Sequence, residues 1–507
     1  MHYLLAIDAG TGSIRAVLFD TLGHQISLAQ QEWTHLSVEG VEGSMGFDFE
    51  KGWELCKACI KEAIKGIDAK EIVAVSSSSM REGIVVYDKD KRELWGVANV
   101  DSRAGAEVKA LKMRDAHMEQ EGYLRSGQTF ALSAIPRLLW LKENRPKLYE
   151  KAAYFTMISD WVLFKLCGEL SCEPSNAGTA GAFSLKNRTW EVKDFVACGL
   201  KDLCVPIKES GEVLGKVSVH ASKETGLGTH TLVVMGGGDV QIGTAGLGAN
   251  TLGDAVILGG SFWQQEINID ARAPLSPDMR IRVNPHVIKG LSQAEGITFF
   301  SGLIMRWFRD AFGGGKSYAQ LETMAQSVPV GSYGIMPIFS DAMNYGAWYH
   351  ASPSFIGLGI DAQHYNVASM FRSLQENACI VSAINLEQIQ AFSGVYPKEL
   401  IFASGASQGK LWPQILADVT GLHVKVPVIK EATALGVAMA AGMGAGIYKS
   451  YEEAGANIVK IEKCYEPEAE HHACYREIKE KWVKIYAKQR ELVDSGLTES
   501  MWKAPGM

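Results

Sequence analysis

Four glycine-rich segments contain the residues that could perform chemistry, and each follows an apolar run that predicts a buried strand. They are Asp-Ala-Gly-Thr-Gly-Ser-Ile-Arg at 8–15, Gly-Gly-Gly-Asp-Val-Gln at 236–241, Gly-Gly-Ser at 259–261 and Ser-Gly-Ala-Ser at 404–407. Small residues let backbone N–H groups approach phosphate oxygens. Together the segments indicate a phosphate or nucleotide site, although each of the last two taken singly is more typical of a plain loop.

Side chains in the first two segments indicate distinct roles. Thr11 and Ser13 could donate hydroxyl hydrogens to phosphate oxygens, and the Asp8 carboxylate could hold Mg²⁺. Asp239 would stand between a buried strand and a helix, where a catalytic base can be held rigidly. A tight hairpin and a helix N-cap are the alternatives for these two segments. Three glycines before Asp239 exceed what a cap needs, which favours the catalytic interpretation.

A polar segment between two predicted strands offers a site for a small substrate. Arg81 and Glu82 lie there, and their charges could bind hydroxyl or carbonyl oxygens. Considered alone, the pair is better explained as a surface salt bridge. Five further polar residues lie in turn-like segments, and each considered alone is better explained as a solvated loop residue: Asn99, Asp101, Arg103, Ser175 and Asn176.

Three other motifs are interpreted without chemistry. The segment 313–317, Gly-Gly-Gly-Lys-Ser, lacks the first glycine of a Walker A loop and is expected to be a surface loop. Cys56 and Cys59 form C-x-x-C in an amphipathic helix without a second pair, which favours half-buried thiols over zinc or redox chemistry. A possible metal cluster is disfavoured because it falls in a charged, exposed segment: Cys464, His471, His472 and Cys474.

Length, composition and charge limit the class of protein. The chain has 507 residues, of which 47% are hydrophobic and 21% charged, so it can bury large cores and is not disordered. Its 50 Lys+Arg and 57 Asp+Glu give a net charge of -7, which argues against a general nucleic-acid binder. Nine cysteines, an odd number spread over a long chain, argue against a secreted disulfide framework. Glycine, at 52 residues, exceeds the average share of about 7%, and the four segments account for part of the excess.

No segment predicts export or a membrane partner. The longest uncharged apolar stretch, 432–448, consists mainly of Ala, Gly and Met and predicts a tightly packed internal helix. The first ten residues lack a basic start, and Asp8 interrupts their apolar run, unlike a signal peptide. We therefore expect a cytoplasmic protein.

Strands and helices alternate along the whole chain, which predicts an α/β class. The predicted strands are 3–8, 14–19, 25–32, 72–75, 84–87, 231–235, 254–258, 262–269 and 399–403. The predicted helices include 49–64, 365–390, 411–419, 432–443 and a charged tail at 467–493. The strand–turn–strand pattern at 254–269 repeats that at 3–19, which predicts two similar lobes, residues 1–250 and 251–507.

The order of these segments resembles that of the FGGY carbohydrate kinases, a family within the actin/hexokinase/Hsp70 ATPase superfamily. The likeness covers nearly the whole chain and includes Trp412, Gln414, Asp418 and the segment 431–436. It implies a two-lobed, ribonuclease H-like ATPase fold that uses ATP and Mg²⁺. The first lobe would bind substrate and phosphate, and the second would bind the nucleotide.

The resemblance also assigns roles to single residues. Asp239 would be the general base and would hold Mg²⁺ together with Asp8. The phosphate and ATP contacts would come from Thr11, Gly12 and Ser13 around the transferring phosphate, Gly260 and Ser261 opposite them, and Gly405 and Ala406 along the adenosine. The substrate contacts would come from Arg81, Glu82, Asp239, Gln241 and Asn176. Gly260 stands where the family often has Thr, and Ser404 replaces a frequent Gly, which bears on nucleotide details.

Within the family, six stretches resemble the branch that phosphorylates the terminal hydroxyl of linear 4,5-dihydroxy-2,3-pentanedione, the precursor of the quorum-sensing signal autoinducer-2. They are 79–83, 99–104, 174–179, 258–265, 306–312 and 502–507. Two alternatives stay open: a kinase for another small sugar or polyol, such as glycerol or xylulose, and an actin-like or chaperone-type ATPase. A regulatory protein without catalysis is disfavoured because Asp8 and Asp239 are both present. The sequence assigns no protein partner.

Overall fold

Two large β-sheets, one from each half of the chain, form the framework of the protein. The computed structural model describes residues 2–429 and 431–506. The strands of the first half are β1 (Tyr3–Ala9), β2 (Ser13–Asp20), β3 (Gln25–Glu32), β4 (Ile72–Ser79), β5 (Ile84–Asp88), β6 (Glu93–Val97), β7 (Ala152–Met157), β8 (Phe183–Ser184), β9 (Thr189–Trp190), β10 (Val213–Lys216) and β11 (Leu232–Gly238). Those of the second half are β12 (Ala255–Gly259), β13 (Trp263–Asp270), β14 (Arg282–Pro285), β15 (Leu291–Thr298), β16 (Met336–Ile338), β17 (Ser354–Ile356), β18 (Glu399–Ala403), β19 (His423–Pro427) and β20 (Ile461–Tyr465).

Helices connect and cover the strands. The helices of the first half are α1 (Phe49–Ala63), α2 (Gly105–Arg114), α3 (Met118–Ser126), α4 (Ala134–Asn144), α5 (Pro146–Lys151), α6 (Ile158–Cys167), α7 (Pro174–Ala177), α8 (Val192–Ala197), α9 (Val219–Thr225) and α10 (Asp239–Gly246). Those of the second half are α11 (Ser301–Phe312), α12 (Tyr318–Ala325), α13 (Val367–Ser393), α14 (Leu411–Thr420), α15 (Ala432–Gly444), α16 (Tyr451–Ile458) and α17 (Ala469–Asp494). The predicted α/β class is confirmed.

The first sheet has the strand order β10-β11-β4-β1-β2-β3. Strands β1, β2 and β3 form the predicted antiparallel meander, and β4 runs parallel to β1. Alternate residues of β1 enter different cores: Leu5 and Ile7 pack with α1 and α6, whereas Leu4 and Ala6 pack with α15. The central strands are therefore buried on both faces, as their continuous apolar runs indicate.

The second sheet repeats this arrangement, with the order β14-β15-β13-β12-β18-β19-β20. Strands β12, β13 and β15 form an antiparallel meander, and β18 runs parallel to β12 as β4 does to β1. Helices α13 and α14 cover one face and contribute to the largest apolar core. The carboxyl ends of β12 and β18 lead into the third and fourth glycine-rich segments, which brings those segments to one edge of the sheet.

Helix α15 joins the two halves, because it belongs to the second half but packs on β1, β4 and β11 of the first sheet. It also crosses α10 at very short distance. A Cβ added to Gly246 would lie 2.1 Å from the Ala432 carbonyl oxygen, and one added to Gly436 would lie 1.9 Å from that of Ile242. Only glycine permits this contact, which explains the small residues of the stretch 432–448. The lobe boundary near residue 250 stays a prediction.

Two buried strands are longer than the sequence predicted. Strand β4 continues through Ser79, and its serine hydroxyls bond internally, as Ser77 does to the Ser159 carbonyl at 2.7 Å. Strand β11 includes Gly236 and Gly237, which the sequence suggested were a ligand turn. A Cβ on Gly236 would lie 1.8 Å from the Ser77 carbonyl oxygen, and one on Gly237 would lie 2.5 Å from Val287 Cγ1. Close strand packing therefore explains these two glycines.

The motifs interpreted without chemistry have structural explanations. The segment 313–317 joins α11 to α12, and the Ser317 hydroxyl accepts a hydrogen bond from the Gln320 N–H as a helix cap. Cys56 and Cys59 are buried, and burial raises the pKa of the Cys59 thiol to about 11. Cys464 and Cys474 are exposed. In the described part of the chain, no helix is long and apolar enough to span a membrane.

Candidate active site

Asp239 is the first residue of α10, directly after β11. Its Oδ1 accepts a hydrogen bond from the Val240 N–H at 2.9 Å, and its side chain is 34% exposed. Burial of the surrounding site raises the pKa of Asp239 to about 7. Arg81, whose Nε lies 3.9 Å from Oδ1, lowers this pKa, whereas Asp8 and Glu82 raise it. A carboxylate that is accessible and titrates near neutral pH can act as a general base.

Residues of α7 hold the backbone in front of Asp239. The Ser175 hydroxyl accepts a hydrogen bond from the Gly238 N–H at 2.9 Å and donates one to Glu173 Oε2 at 2.5 Å. Asn176, predicted to contact substrate, is fully buried, and its amide nitrogen donates to the Ser79 and Ser159 hydroxyls at 2.9 Å each. Its amide oxygen has no hydrogen-bond partner among the described residues, so its contact with substrate stays a prediction.

Arg81 and Glu82 belong to a buried ion network that joins the two halves of the chain. Arg81 Nη1 donates to Glu295 on β15, and Arg282 on β14 donates to Glu82 through Nη2. Arg282 Nη1 also lies 3.3 Å from Glu295 Oε1. Arg81 and Glu82 are only 7% and 8% exposed, so the interpretation of the pair as a surface salt bridge is wrong.

Each of these two residues retains a free polar atom. Arg81 Nη2 and Glu82 Oε2 have no hydrogen-bond partner among the described residues. Neither atom is fully buried, so a ligand can reach both. Arg137 Nη1 donates to the Glu82 carbonyl at 2.5 Å and so fixes its backbone, which has an unusual φ of +63°. The pair can therefore offer one N–H donor and one carboxylate acceptor to a ligand.

Sequence reasoning missed the second half of this network. Glu266 on β13 is directly opposite Glu295 on β15, and both are buried. Although burial opposes it, Arg81 and Arg282 hold the pKa of Glu295 below its usual range. Burial and the neighbouring Glu295 raise the pKa of Glu266 well above its usual value, so this pair carries one negative charge. Glu266 lies in the predicted strand 262–269, but the strands that hold Arg282 and Glu295 are rich in polar residues and were not predicted.

The turn at residues 10–12 lies between β1 and β2, and Asp8 at the end of β1 is near enough to raise the pKa of Asp239. The Thr11 hydroxyl accepts a hydrogen bond from the Asn99 amide nitrogen at 3.0 Å and lies 3.3 Å from the Asn99 amide oxygen, to which it can donate. Asp8 Oδ1 accepts from the Ser78 hydroxyl at 2.9 Å, and Oδ2 lies 4.0 Å from Arg15 Nε. Burial raises the pKa of Asp8, and Arg15 and Ser78 partly oppose that effect.

Gln241 lies two residues after Asp239 in α10 and is fully buried. Both polar atoms of its amide have no hydrogen-bond partner among the described residues. Buried amides are almost always paired, so an unpaired one indicates a ligand. Gln241 therefore stays a candidate for substrate contact, next to Asp239, Arg81 and Glu82; we call these four residues the polar site.

A separate cavity of about 500 Å³ contains the residues predicted to bind a nucleotide. Gly260, Ser261, Gly405 and Ala406 all line it, although the two segments are far apart in the chain. A Cβ added to Gly405 would meet no atom within 4 Å, so protein packing does not require this glycine. The sequence missed further lining residues from α11 to α14, which are Arg306, Tyr318, Phe371, Gln375 and Trp412.

Comparison with known proteins identifies close relatives. The chain matches the N-terminal domain of the FGGY family of carbohydrate kinases over residues 3–246 and its C-terminal domain over residues 268–445. An autoinducer-2 kinase of Salmonella paratyphi B is 53% identical, with 100% of this chain and 98% of the relative covered. Relatives of the same name from an Enterobacter species and from Escherichia coli are 54% and 52% identical, with the same coverage.

Solved structures with lower identity share the fold. A ligand-bound xylulose kinase from Lactobacillus acidophilus superimposes with a TM-score of 0.87 at 19% identity, covering 97% of this chain and 99% of that one. A glycerol kinase from Plasmodium falciparum with ADP gives 0.84 at 17% identity, covering 96% and 98%. These likenesses confirm the predicted two-lobed α/β architecture.

Proposed function

The chain belongs to the FGGY family of carbohydrate kinases, and we propose that it transfers a phosphoryl group from ATP to the terminal hydroxyl of linear 4,5-dihydroxy-2,3-pentanedione in the cytosol. The observation that carries the proposal is the polar site, in which an accessible carboxyl group of pKa about 7 stands beside one free donor and one free acceptor. The full-length match to relatives named autoinducer-2 kinase supports the choice of substrate.

The polar site accounts for binding and activation of the acceptor. Arg81 Nη2 would donate to a carbonyl oxygen of the dione, and Glu82 Oε2 would accept a hydrogen from a hydroxyl group. The Asp239 carboxylate would take the proton of the terminal hydroxyl as its oxygen attacks phosphorus. Phosphoryl transfer depends mainly on such positioning and on neutralisation of charge.

The carboxylates of Asp8 and Asp239 suit Mg²⁺, which prefers oxygen ligands. Asp8 raises the pKa of Asp239, which supports the two carboxylates as neighbours that would hold the ion together. When bound, Mg²⁺ neutralises negative charge on the phosphate oxygens. Thr11 in the turn and Ser13 at the start of β2 would donate hydroxyl hydrogens to the same phosphate.

The cavity of about 500 Å³ that Gly260, Ser261, Gly405 and Ala406 line, called here the glycine-lined cavity, is the proposed ATP site. We expect Gly405→Val to raise the KM for ATP at least about tenfold, because the new side chain would fill space that adenosine needs. The acceptor KM and the melting temperature should change little, since a Cβ at this position meets no protein atom within 4 Å. Steady-state kinetics with each substrate varied in turn measure both constants.

A matched control is Gly122→Val in α3. This glycine also has no atom within 4 Å of an added Cβ, and its φ is negative, but it lies outside the cavity. Its ATP KM should match that of the wild type. An unchanged ATP KM in folded Gly405→Val would contradict the assignment of the cavity to ATP.

A substrate panel tests the acceptor. Purified protein with ATP and the pentanedione should give a singly phosphorylated product by mass spectrometry, with kcat/KM at least about tenfold above that for glycerol or xylulose, a typical discrimination by paired polar contacts. Preference for glycerol or xylulose would overturn the proposed substrate. ATP turnover that is independent of any acceptor would favour the actin-like or chaperone-type ATPase instead.

A further inference from the structure

The turn at residues 10–12 is held from one side by the segment that follows β3. The Trp33 Nε1–H donates to the carbonyl oxygens of Gly10 and Thr11, at 3.0 and 3.2 Å. The backbone N–H of Trp33 donates to the Gly12 carbonyl at 3.2 Å. His35 Nε2 donates to the Thr11 carbonyl at 2.6 Å. Three consecutive carbonyl groups of the turn are therefore bound by two residues.

The direction of the carbonyl groups determines the direction of the N–H groups. In a trans peptide the carbonyl of one residue points opposite to the N–H of the next. With the carbonyls of Gly10, Thr11 and Gly12 turned toward the segment 33–35, the N–H groups of Thr11, Gly12 and Ser13 point away from it. Successive N–H groups on one side of a turn form an anion-binding concavity.

We propose that Trp33 and His35 are positioning residues that aim these N–H groups at the transferring phosphate. The proposal rests on the proposed function, since it needs the turn to bind that phosphate. Neither residue touches substrate: both act through the peptide groups of the turn. Loss of the hydrogen bonds from Trp33 or His35 lets the peptide groups of the turn rotate. A misplacement of about 1 Å in a catalytic site can cost a hundredfold in rate.

The surroundings of the two side chains suit a rigid support. Trp33 is 8% exposed, and its ring packs edge-on against Phe47 with centroids 5.5 Å apart. A carbonyl oxygen only accepts hydrogen bonds, so His35 Nε2 carries a hydrogen. Burial lowers the pKa of His35, so the ring is neutral at pH 7 and above. Nε2 carries this hydrogen in both the neutral and the cationic ring, and the hydrogen bond therefore persists across the working pH range.

The experiment uses full-length variants at His35. In His35→Leu, which removes the donor, kcat should fall about tenfold, the usual effect of about 1.4 kcal/mol on a transition state. His35→Gln keeps an N–H donor and should recover most of this loss. The affinity for ADP, which lacks the transferring phosphate, should stay within about twofold of wild type by isothermal titration calorimetry, as expected when only transition-state contacts are lost.

Two further variants complete the experiment: one is a control at another histidine, and the other removes the second hydrogen-bond donor to the turn. His24→Leu replaces an exposed histidine in the turn between β2 and β3, at the other end of β2 from Ser13, and should leave kcat unchanged. Trp33→Phe removes the indole donor but keeps the ring packing, and it should lower kcat at least as much as His35→Leu.

Three results would overturn the inference: full kcat in folded His35→Leu and Trp33→Phe, no recovery in His35→Gln, or an equal loss of ADP affinity. Failure of the proposed function would look different. In that case the wild-type protein itself would give no phosphorylated pentanedione, whatever residue stands at 35. If the wild-type protein forms the product and the His35 variants keep the wild-type kcat, the positioning role of His35 and Trp33 is rejected, whereas the proposed function stands.

Discussion

Asp239→Asn should lower kcat about a thousandfold, within the range that loss of a general base produces. The amide keeps the shape of the side chain at the start of α10 but cannot accept the proton of the acceptor hydroxyl. It also removes one of the two carboxylates proposed to hold Mg²⁺. Product formation from ATP and the pentanedione, measured with saturating substrates, checks this result.

The control is Asp48→Asn, which makes the same chemical change at the start of another helix. Asp48 caps α1 by accepting a hydrogen bond from the Lys51 N–H at 2.9 Å, and asparagine caps as well as aspartate. Its activity should equal that of the wild type. Near wild-type turnover in a folded Asp239→Asn protein would remove Asp239 from the mechanism.

Although Asp239→Asn should lower kcat, it should raise the stability of the folded protein at alkaline pH. The pKa of Asp239 rises from its ordinary value of 3.8 to about 7 on folding, so the folded state prefers the protonated form. Stability from this group is complete below pH 3.8 and is lost as the pH rises toward 7. Asparagine imitates the protonated form, so Asp239→Asn should melt higher than wild type at pH 8 and equally at pH 4. A variant that melts lower at pH 8 would contradict the raised pKa.

Activity should follow the ionisation of Asp239. Since the base must be ionised, kcat/KM of the wild type should fall on the acid side of about pH 7 when measured at low concentrations of both substrates. This acid limb should be missing from the residual activity of Asp239→Asn, because asparagine does not titrate.

Arg282→Met should destabilise the protein by about 3 kcal/mol, because removal of one partner from a buried ion network leaves an uncompensated charge. Arg282 is 2% exposed, and it binds Glu82 and Glu295 at once. The acceptor KM should rise at least about tenfold, since Glu82 loses the contact that fixes its carboxylate. Thermal melting and acceptor kinetics measure the two effects.

The control is Arg272→Met near the end of β13. Arg272 forms an ion pair with Asp270 at 3.0 Å, but both side chains are exposed, so the pair contributes little. Its melting temperature and acceptor KM should match those of the wild type. Equal, small effects of Arg282→Met and Arg272→Met would show that the network does not organise the polar site.

This network couples the acceptor site to both halves of the chain. Arg81 and Glu82 follow a strand of the first sheet, whereas Glu295 and Arg282 lie on strands of the second. Binding of an acceptor to Arg81 and Glu82 would therefore act on the relative position of the halves. Closure of such lobes excludes water and limits wasteful hydrolysis of ATP.

The sequence by itself determined the family, the α/β class, the meanders around the glycine-rich segments and four of the residues that line the 500 Å³ cavity, which are Gly260, Ser261, Gly405 and Ala406. These features are local: apolar runs predict strands, and glycines between them predict turns. The resemblance to the FGGY kinases and to their autoinducer-2 branch is confirmed by the family models and relatives. Asp239 was predicted as the base because a carboxylate between a strand and a helix is visible in the sequence, and the structure has it at the first position of α10.

Only the tertiary structure decided which residues surround the polar site. Considered alone, Arg81 and Glu82 were better explained as a surface pair, because Glu295, the partner of Arg81, lies more than two hundred residues away. Gly236 was assigned to ligand approach, whereas the carbonyl of Ser77 on the neighbouring strand requires it. The hydrogen bonds from Trp33 and His35 to the turn at residues 10–12 depend on the direction in which the chain leaves β3. Such contacts depend on strand order and on the packing of the halves, which no local pattern records.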